Sequence, residues 1–534
     1  MRRVPHTKDQ GQQHIAHSLT LHLVSQLTPP PLQCDLQEPS CARCLKSNRQ
    51  CPGYRDQLAL WFRDESQTVA QRTKATTHTS PSVDRRTQRS LMEEAFEKAC
   101  ASSETVQRGE LFLLPMDIFV VDVQDRAACY FFEVFNWVGA STLVEGSFDY
   151  KKDAADAPVG EMALLAGITA VGKASLANIH RSDALRESAS DDYVTTLNLV
   201  NSALCDTEQL KEDSTLNAIF LLSIFEIVVG QERKSIDNWI NHIIGASRLL
   251  DSRGREDVSK TSSPEMFYSW RSAIVTCCIC RKIPFPSIII RLSHQLASTT
   301  RDPLSAAFRD LTLVTEHFAN LRHKIDTGEL KDAQRTLHDL RVVETDLENW
   351  ASSISPSCYY DAVSTPQPFQ ITSNYTLSPY TKYAHKYGKF WIANMWNEFR
   401  TIKLQVYDMM LTQLQPYVTG MEGNPESIEN YKSQYCHIRR QLCQISEEIC
   451  CSVPYILGFL ANERRDTSLS VKSSAGGVVL LWPLTVAGIA NSTVVEFVSR
   501  CFEMISHVMG LQQAMVFRHW VLSSSTQYTW ADCT

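Results

Sequence analysis

The amino-acid sequence predicts a mainly α-helical protein, in which a disordered N-terminus and a small cysteine-rich module precede a large helical region. Three observations support this fold class. From about residue 91 onward, apolar residues recur at the three- and four-residue intervals of amphipathic helices, and few segments alternate as strands do. Four cysteines lie close together within residues 34–51. Residues 1–33 follow neither periodicity and contain the run Pro29–Pro31, which favours disorder.

Composition and charge narrow the choice of function. Hydrophobic residues make up 43% and charged residues 21% of the 534 residues, an ordinary globular balance. Residues 1–90 hold 13 of the 52 Lys and Arg and 7 of the 59 Asp and Glu, a net charge of +6; the remainder, with 39 against 52, carries −13. A basic N-terminal segment ahead of an acidic region suits nucleic acid at one end and proteins at the other. The alternative is a solvated polar tail.

The cysteines and the longest apolar segments indicate in which cellular compartment the protein is found. The chain has 17 cysteines, an odd number, and those outside residues 34–51 are scattered through apolar stretches, so we expect a reducing compartment rather than a disulfide framework. Ser18–Leu27 is interrupted by polar residues, which argues against a signal peptide. The run Val478–Ala490 is too short for a membrane span, which needs about 20 residues. We therefore expect no membrane association.

Composition divides the chain into four parts. Residues 1–33 are the expected disordered segment, and residues 34–56 are the cysteine module. Residues 57–90 are the expected linker. They begin with a short amphipathic segment, 57–66, and residues 67–90 are rich in Thr, Ser, Gln and Arg, which is typical of a flexible chain. Residues 91–525 are expected to form one all-α domain.

Within that domain the apolar period places the main helices, and polar or breaking residues place their ends. The residues before the apolar segment 216–229 include Asp213 and Ser214, either of which is expected to cap a central helix that ends at Gly230. The segment 356–379 is rich in Ser, Pro and Tyr and is expected to be a loop. The other predicted helices are Leu91–Cys100, Asp125–Ala140, Glu161–Ile179, Ser190–Leu204, Asn238–Leu250, Phe267–Leu296 with a break at Pro284 and Pro286, Leu304–Asp326, Leu330–Ser352, Tyr380–Leu414, Ile428–Pro454, Gly476–Ile489 and Ser492–Val521.

The strongest chemical signal is the cysteine motif. The four thiols are separated by six, two and six residues, and basic residues occupy the gaps. Thiolates at such spacing can converge on zinc, and neighbouring cations favour the deprotonated, metal-binding form. A unit this short cannot stabilise itself by burying a core, so metal has to do so. The predicted zinc ligands are Cys34, Cys41, Cys44 and Cys51.

The motif resembles the second half of the zinc binuclear cluster of fungal transcription factors. The matching residues are Cys34-Asp35, Pro39-Ser40-Cys41, Cys44 and Cys51-Pro52-Gly53-Tyr54. That family has six cysteines, in two C-x2-C-x6-C halves, that hold two zinc ions. The resemblance implies that Cys41 matches the cysteine that bridges both metals, and that Pro39 matches the loop proline.

Less specific sequence features of the helical region resemble the regulatory region of the same family. They are Asp213-Ser214-Thr215-Leu216 ahead of an apolar helix, Trp239-x2-His242-x2-Gly245-Ala246, Arg253-Gly254, Leu481-Trp482-Pro483-Leu484 and His507-x-Met509-Gly510. The resemblance therefore covers most of residues 34–521. It implies a helical domain that serves regulation and contact with co-regulator proteins.

The sequence departs from the family pattern ahead of Cys34, where the first two family cysteines and the basic helix that touches DNA are missing. Four thiolates suffice for one tetrahedral zinc ion but not for two. His14, His17 and His22 are alternative ligands, although their spacing is not that of a zinc finger. We also put forward the hypothesis that residues 4–33 are translated non-coding sequence within the family's basic helix, which sequencing of the transcript would test.

The resemblance implies a zinc-dependent transcription regulator of RNA polymerase II genes that acts in the nucleus. Expected partners are DNA with CGG half-sites, co-regulator proteins and a second copy of the chain as a homodimer. The alternative is a helical interaction protein that keeps the regulatory region but does not bind DNA. The basic residues left to contact DNA are Arg2, Arg3, Arg43, Lys46, Arg49 and Arg55.

An enzyme is not expected. The chain contains no phosphate-binding glycine loop, no HExxH metal motif and no GxSxG nucleophile motif. His242 is expected to be a core histidine, and Cys277, Cys278 and Cys280 are expected to be buried thiols. The pairs Asp191-Asp192 and Glu447-Glu448 are expected to be solvated helix positions.

Overall fold

The computed structural model describes residues 122–135, 157–252, 264–365, 367–372, 375–419, 425–460 and 474–524. Within these residues the protein is mainly α-helical, with fourteen α-helices, which confirms the predicted fold class. The predicted segments 1–33, 34–56 and 57–90 and the first part of the helical domain lie outside the described residues.

The helices and strands are labelled in chain order. The helices are α1 (Val123–Val134), α2 (Val159–His180), α3 (Asp183–Leu204), α4 (Asp213–Val229), α5 (Arg233–Ser252), α6 (Pro264–Arg281), α7 (Ser287–Thr300), α8 (Pro303–Asp326), α9 (Ala333–Ser353), α10 (Phe390–Val418), α11 (Pro425–Ile456), α12 (Ser474–Ala490), α13 (Val495–Met509) and α14 (Gln513–Ser524). The strands are β1 (Tyr360–Ser364), β2 (Phe369–Thr372), β3 (Tyr375–Leu377) and β4 (Tyr383–Tyr387), and short 3-10 turns lie at Gln209–Lys211, Pro356–Cys358 and Ser492–Val494.

The central helix is α4, as its sequence predicts. Every residue from Thr215 to Val228 is buried, and α4 packs against α2, α3 and α5. A helix that is apolar on all sides is expected in a core, because it has no polar face that could be exposed to solvent. One continuous hydrophobic cluster extends from Phe131 in α1 to Val521 in α14, and a small second cluster joins α1, α2 and α3.

The start of α4 differs from the prediction. The helix begins at Asp213, and the cap position is Glu212, whose side chain makes no capping hydrogen bond. Neither Asp213 nor Ser214 is therefore the cap. Thr215 instead donates its hydroxyl to the carbonyl of Gln209 at 2.7 Å. The end is as predicted, since Gly230 occupies the C-cap position.

Helix α2 passes a length and composition test for a membrane span, but two thirds of its most apolar window is buried inside the protein. It packs against α1, α3 and α4. At Gly172 a Cβ would lie 2.1 Å from the carbonyl oxygen of Ala127, so the backbones of α2 and α1 touch directly. These contacts give α2 the environment of a core helix.

Two segments depart from their predicted structure. The expected loop 356–379 contains three strands, and the expected helix from Tyr380 begins only at Phe390 because Tyr383–Tyr387 forms β4. β4 pairs antiparallel with β1, with Ala362 opposite His385, and β2 pairs antiparallel with β3. Ala384, His385 and Tyr387 are buried on β4, so pairing with β1 and the packing of aromatic side chains override the helical pattern there.

The last predicted helix is also divided. Gly510 adopts a φ of +74° and closes α13, after which α14 begins at Gln513. The left-handed conformation at this position suits glycine, which lacks a Cβ. The predicted break at Pro284 and Pro286 is confirmed, with α6 ending at Arg281 and α7 beginning at Ser287.

Candidate functional site

The predicted metal and DNA-binding residues lie outside the described residues. This applies to the zinc ligands and to the basic set, so the structure neither brings them together nor separates them. They are Cys34, Cys41, Cys44, Cys51, Arg2, Arg3, Arg43, Lys46, Arg49 and Arg55. Among the described residues, no group of three or more His, Cys, Asp or Glu side chains could hold a metal ion.

The cysteines of α6 are structural. Cys277 and Cys278 are buried and Cys280 is partly buried, as the sequence predicts. Burial raises the pKa of the Cys278 and Cys280 thiols to about 12 and that of Cys277 well above its usual value. These thiols are therefore protonated at neutral pH and are poor nucleophiles and poor metal ligands.

His242 lies in a polar cluster between α3, α4 and α5. Its Nε2 is 3.2 Å from the hydroxyl of Tyr193, which donates to Oε1 of the buried Glu226 at 2.8 Å. Asn238 also donates to that carboxylate oxygen, at 3.1 Å. Desolvation lowers the pKa of His242 to about 4, so the imidazole is neutral at pH 7. The core role predicted for His242 is confirmed.

Two acidic residues expected to be solvated instead pair with buried cations. Asp192 lies 2.7 Å from Nζ of Lys173, whose side chain is 4% exposed. Glu448 lies 3.2 Å from Nε of Arg400, whose side chain is fully buried. The prediction of solvated positions was wrong for these two, because helix periodicity does not show which cations lie opposite.

Arg400, in α10, bonds to the antiparallel β1–β4 pair and to α11. Its Nη1 donates to the Tyr387 hydroxyl at 2.9 Å, and its Nη2 is 3.3 Å from Nδ1 of His385. The guanidinium also lies 4.9 Å from the ring centre of Tyr360. Burial, followed by the nearby guanidinium, lowers the pKa of His385 to about 3.

One cavity in the described part of the chain is formed by α4, α5, α6, α10, α12 and α14. It is partly open to solvent and offers about 110 Å³ to water-sized molecules. Its walls are mostly apolar and aromatic, and include Phe220, Trp239, Trp391 and Trp482. Aromatic walls with a few polar groups are the usual lining of small-molecule sites.

One charged side chain, that of Glu398, lines this cavity. Its two carboxylate oxygens accept from Nη1 and Nη2 of Arg271, at 2.5 and 2.9 Å. Arg271 is fully buried and also donates from Nε to the Thr312 hydroxyl at 2.7 Å. This bidentate Arg271–Glu398 ion pair has no net charge, so it adds no net charge to the cavity wall.

Two buried N–H groups of the cavity residues have no hydrogen-bond partner in the part of the chain that the structure describes. They are the indole Nε1 of Trp482 and the amide Nε2 of Gln513. Gln513 is 2% exposed. Pro483, which follows Trp482, also lines the cavity and cannot donate the helical hydrogen bond that the Val479 carbonyl would otherwise accept. Sequence analysis missed this site, because its residues are spread from 220 to 513.

Comparison with known protein families finds a match that includes several of the helices around the cavity. Residues 145–357 match the family model described as the fungal specific transcription factor domain. The match covers fewer than half of the 534 residues and includes α2 to α9. It supports a fungal transcription factor, and it favours a nuclear, non-enzymatic role. No curated protein and no solved structure matches the chain.

The match also locates the domain within the fold. It ends at residue 357, whereas the hydrophobic core continues through α10 to α14. α4, the central helix, packs against α14 as well as against α2 and α5. The matched segment is therefore one part of a larger helical unit.

Proposed function

We propose that this chain is a zinc-dependent, DNA-binding transcription regulator that acts in the nucleus. The observation that carries the proposal is the match of residues 145–357 to the fungal specific transcription factor domain. The cysteine spacing at residues 34–51 and the basic balance of residues 1–90 add support from the sequence.

In this proposal, Cys34, Cys41, Cys44 and Cys51 hold one zinc ion, because four thiolates complete one tetrahedral site. Arg43, Lys46, Arg49 and Arg55 then contact phosphates and bases near a CGG half-site, with Arg2 and Arg3 as additional phosphate contacts. The helical region contacts co-regulator proteins, and a homodimer would read two half-sites.

A second candidate is a helical interaction protein that does not bind DNA. It is favoured by the position of the family match, which falls on the helical region and does not include the cysteine motif.

Zinc content and DNA affinity of the purified full chain distinguish the two candidates. We expect one zinc per chain and salt-dependent binding to a CGG-containing duplex, both lost in Cys41→Ser. Cys129→Ser, at an exposed thiol on α1, is the matched control and should retain both. A chain that contains no zinc and binds no duplex at low salt would overturn the DNA-binding proposal in favour of the interaction protein.

A further inference from the structure

An open groove lies between α9 and α11, over the helix α10 against which both of them pack. It offers about 620 Å³ to water-sized molecules. Arg341 of α9 and His437 and Arg440 of α11 line the groove, and all three residues are exposed. A molecule in solution can therefore reach their side chains, and the α9–α11 groove is a surface site rather than a closed cavity.

The two arginines of the α9–α11 groove carry charge that the fold does not neutralise. In the part of the chain that the structure describes, neither Arg341 nor Arg440 forms an ion pair. Arg341 donates from Nη2 to the side-chain oxygen of Gln434 at 2.5 Å, and the Gln434 amide donates to Oδ1 of Asn430 at 3.2 Å. These bonds hold the Arg341 guanidinium beside α11 through a neutral partner, so its charge and its other N–H donors remain available to a ligand.

The net charge of the groove is positive. Glu344 of α9 also lines it, and the hydroxyl of the buried Tyr407 hydrogen-bonds to this carboxylate. With two arginines and one carboxylate, the lining has a net charge of +1 when His437 is neutral, and protonation of the imidazole adds to it. A groove of this charge attracts anions.

We propose that the α9–α11 groove binds a short acidic segment of a partner protein, in which two carboxylates pair with Arg341 and Arg440. The inference names the surface and the chemistry of a contact with a co-regulator protein, and in that respect it rests on the proposed function. The binding of the acidic segment itself requires neither zinc nor DNA, so it can be measured separately.

The exposure of the arginines favours a peptide over a small anion. One exposed ion pair changes a binding constant by about fivefold or less, so a single small anion would bind weakly. Two carboxylates on one chain form both pairs, while the translational freedom of only one molecule is lost. A peptide also has apolar side chains that can contact Ile438, which is partly exposed in the groove, and backbone groups that can bond to the exposed Ser433 hydroxyl.

The charges around the groove favour an acidic peptide over a nucleic acid. Glu344 lies within the groove, and residues 91–534 carry a net charge of −13. A nucleic acid carries one phosphate charge for each nucleotide, so it would bring many negative charges close to this acidic region. A peptide that places two carboxylates at the two arginines brings only those two charges.

The test uses the purified full chain and isothermal titration calorimetry with four acetylated, amidated hexapeptides. Each peptide carries two Glu, separated by one, two, three or four residues, with Leu and Ala at the other positions. Matched peptides carry Gln in place of both Glu. We expect at least one acidic peptide to bind with a submillimolar Kd, and its Gln counterpart to bind about tenfold more weakly, because it lacks the charges that complement the groove.

Arg341→Gln and Arg440→Gln each remove one charge and keep a hydrogen-bonding side chain. Each should weaken the binding of the best acidic peptide about threefold, and the double variant about tenfold, with little change in the thermal unfolding midpoint. Arg181→Gln is the matched control, because Arg181 is exposed on the turn between α2 and α3 and forms no ion pair with the described residues. It changes the net charge by the same amount and should leave the affinity unchanged, since salt screens distant charges.

Four results would overturn the proposal. One is that no acidic peptide binds the wild-type chain at millimolar concentration, or that the Gln peptides bind equally well. Another is that the double variant binds the peptide as tightly as Arg181→Gln does, which would place the peptide elsewhere on the chain. A third is that inorganic phosphate at the same concentration displaces the peptide, which would make the groove a site for an adventitious ion only. The fourth is that a DNA duplex without CGG binds more tightly than the peptide and loses affinity in the double variant.

Failure of this inference can be distinguished from failure of the proposed function. Cys41→Ser should retain the full affinity for the acidic peptide, because residue 41 does not line the groove. A chain that contains no zinc and binds no duplex but binds the peptide would overturn the DNA-binding proposal alone. A chain that binds zinc and duplex but not the peptide would overturn the acidic-segment proposal alone.

Discussion

Asn178 in α2 donates from Nδ2 to the carbonyl of Gly510 at 2.8 Å, across 332 positions of sequence. The same amide donates to the Val228 carbonyl at the end of α4, also at 2.8 Å. The backbone N–H of Gln512 adds a third bond, to Val228, at 3.1 Å. One side chain thus links the family-matched segment to the C-terminal helices, where two helix ends leave carbonyls without helical partners.

The first prediction concerns this link. Asn178→Ala should lower the free energy of unfolding by about 2 kcal/mol, since it removes the amide donor from two carbonyls at once. Urea denaturation followed by circular dichroism would measure the loss. Asn349→Ala, at an exposed position on α9, is the control and should change stability by less than about 0.5 kcal/mol. Equal effects of the two substitutions would mean that Asn178 is not a link.

The second prediction concerns the contact of α1 with α2. Gly172→Ala should destabilise the protein by about 3 kcal/mol, because the added Cβ would meet the Ala127 carbonyl oxygen at 2.1 Å and force the helices apart. Gly458→Ala is the control for conformational strain alone. It has a φ of +78° with nothing within 4 Å of the new Cβ, and should cost about 1 kcal/mol. Thermal unfolding of both variants provides the comparison, and a smaller loss for Gly172→Ala would contradict the packing of α1.

The third prediction concerns the buried ion pair at the cavity. Arg271→Met should lower the free energy of unfolding by about 3–5 kcal/mol, because it leaves the Glu398 carboxylate without its bidentate guanidinium partner. The double variant Arg271→Met with Glu398→Met should recover most of that loss, since it removes both charges. Denaturant unfolding of the two single variants and the double variant measures the coupling. Additive losses would show that the two side chains act independently.

The fourth prediction concerns acid stability. The folded-state pKa is lowered to about 3 for His385 and to about 4 for His242, against an ordinary value near 6.5. Below about pH 6.5 the unfolded chain takes up protons that the folded chain does not, so stability falls as the pH decreases from 6.5 toward 4 and is unaffected by these groups above 6.5.

His385→Asn removes one of the two groups and should make stability less dependent on pH between 6.5 and 4.5, by up to a few kcal/mol over that range. Arg400 and the Tyr387 hydroxyl lie within hydrogen-bond distance of His385 and do not change their charge between pH 6.5 and 4.5, and the Tyr360 ring packs against the imidazole. Asn349→Ala, at an exposed position on α9 that carries no titratable side chain, is the control and should leave the slope unchanged. A wild-type chain with constant stability from pH 7 to 4.5 would contradict the buried, neutral state of His385.

The sequence predicts the helical architecture well where periodicity and breakers act locally. The all-buried helix before Gly230 and the interruption between α6 and α7 follow from apolar runs, glycine and proline. The strand at Tyr383–Tyr387 could not be predicted in this way, since its partner, β1, lies in a segment whose Ser and Pro content suggests a loop. The division at Gly510 depends on a backbone conformation, which the residue type permits but does not require.

The cavity shows more clearly that contacts between residues far apart in sequence cannot be predicted from local patterns. The cavity brings together Phe220, Trp391 and Gln513 from distant helices, and no local pattern links them. Pairs such as Lys173 with Asp192 and Arg400 with Glu448 depend on which helices become neighbours. The cysteine motif, by contrast, is local, so a metal site can be predicted from the spacing of its residues. The binding of zinc and of DNA by this segment remains a prediction.

The most direct test of the regulatory role is chromatin occupancy of the tagged full chain in fungal cells, with transcript levels measured in parallel. We predict discrete enriched sites that contain CGG, loss of that enrichment in Cys41→Ser, retention in Cys129→Ser, and altered transcripts at the neighbouring genes. No enrichment at any site, together with unchanged transcripts when the gene is deleted, would contradict the assignment of this chain as a DNA-binding transcription regulator.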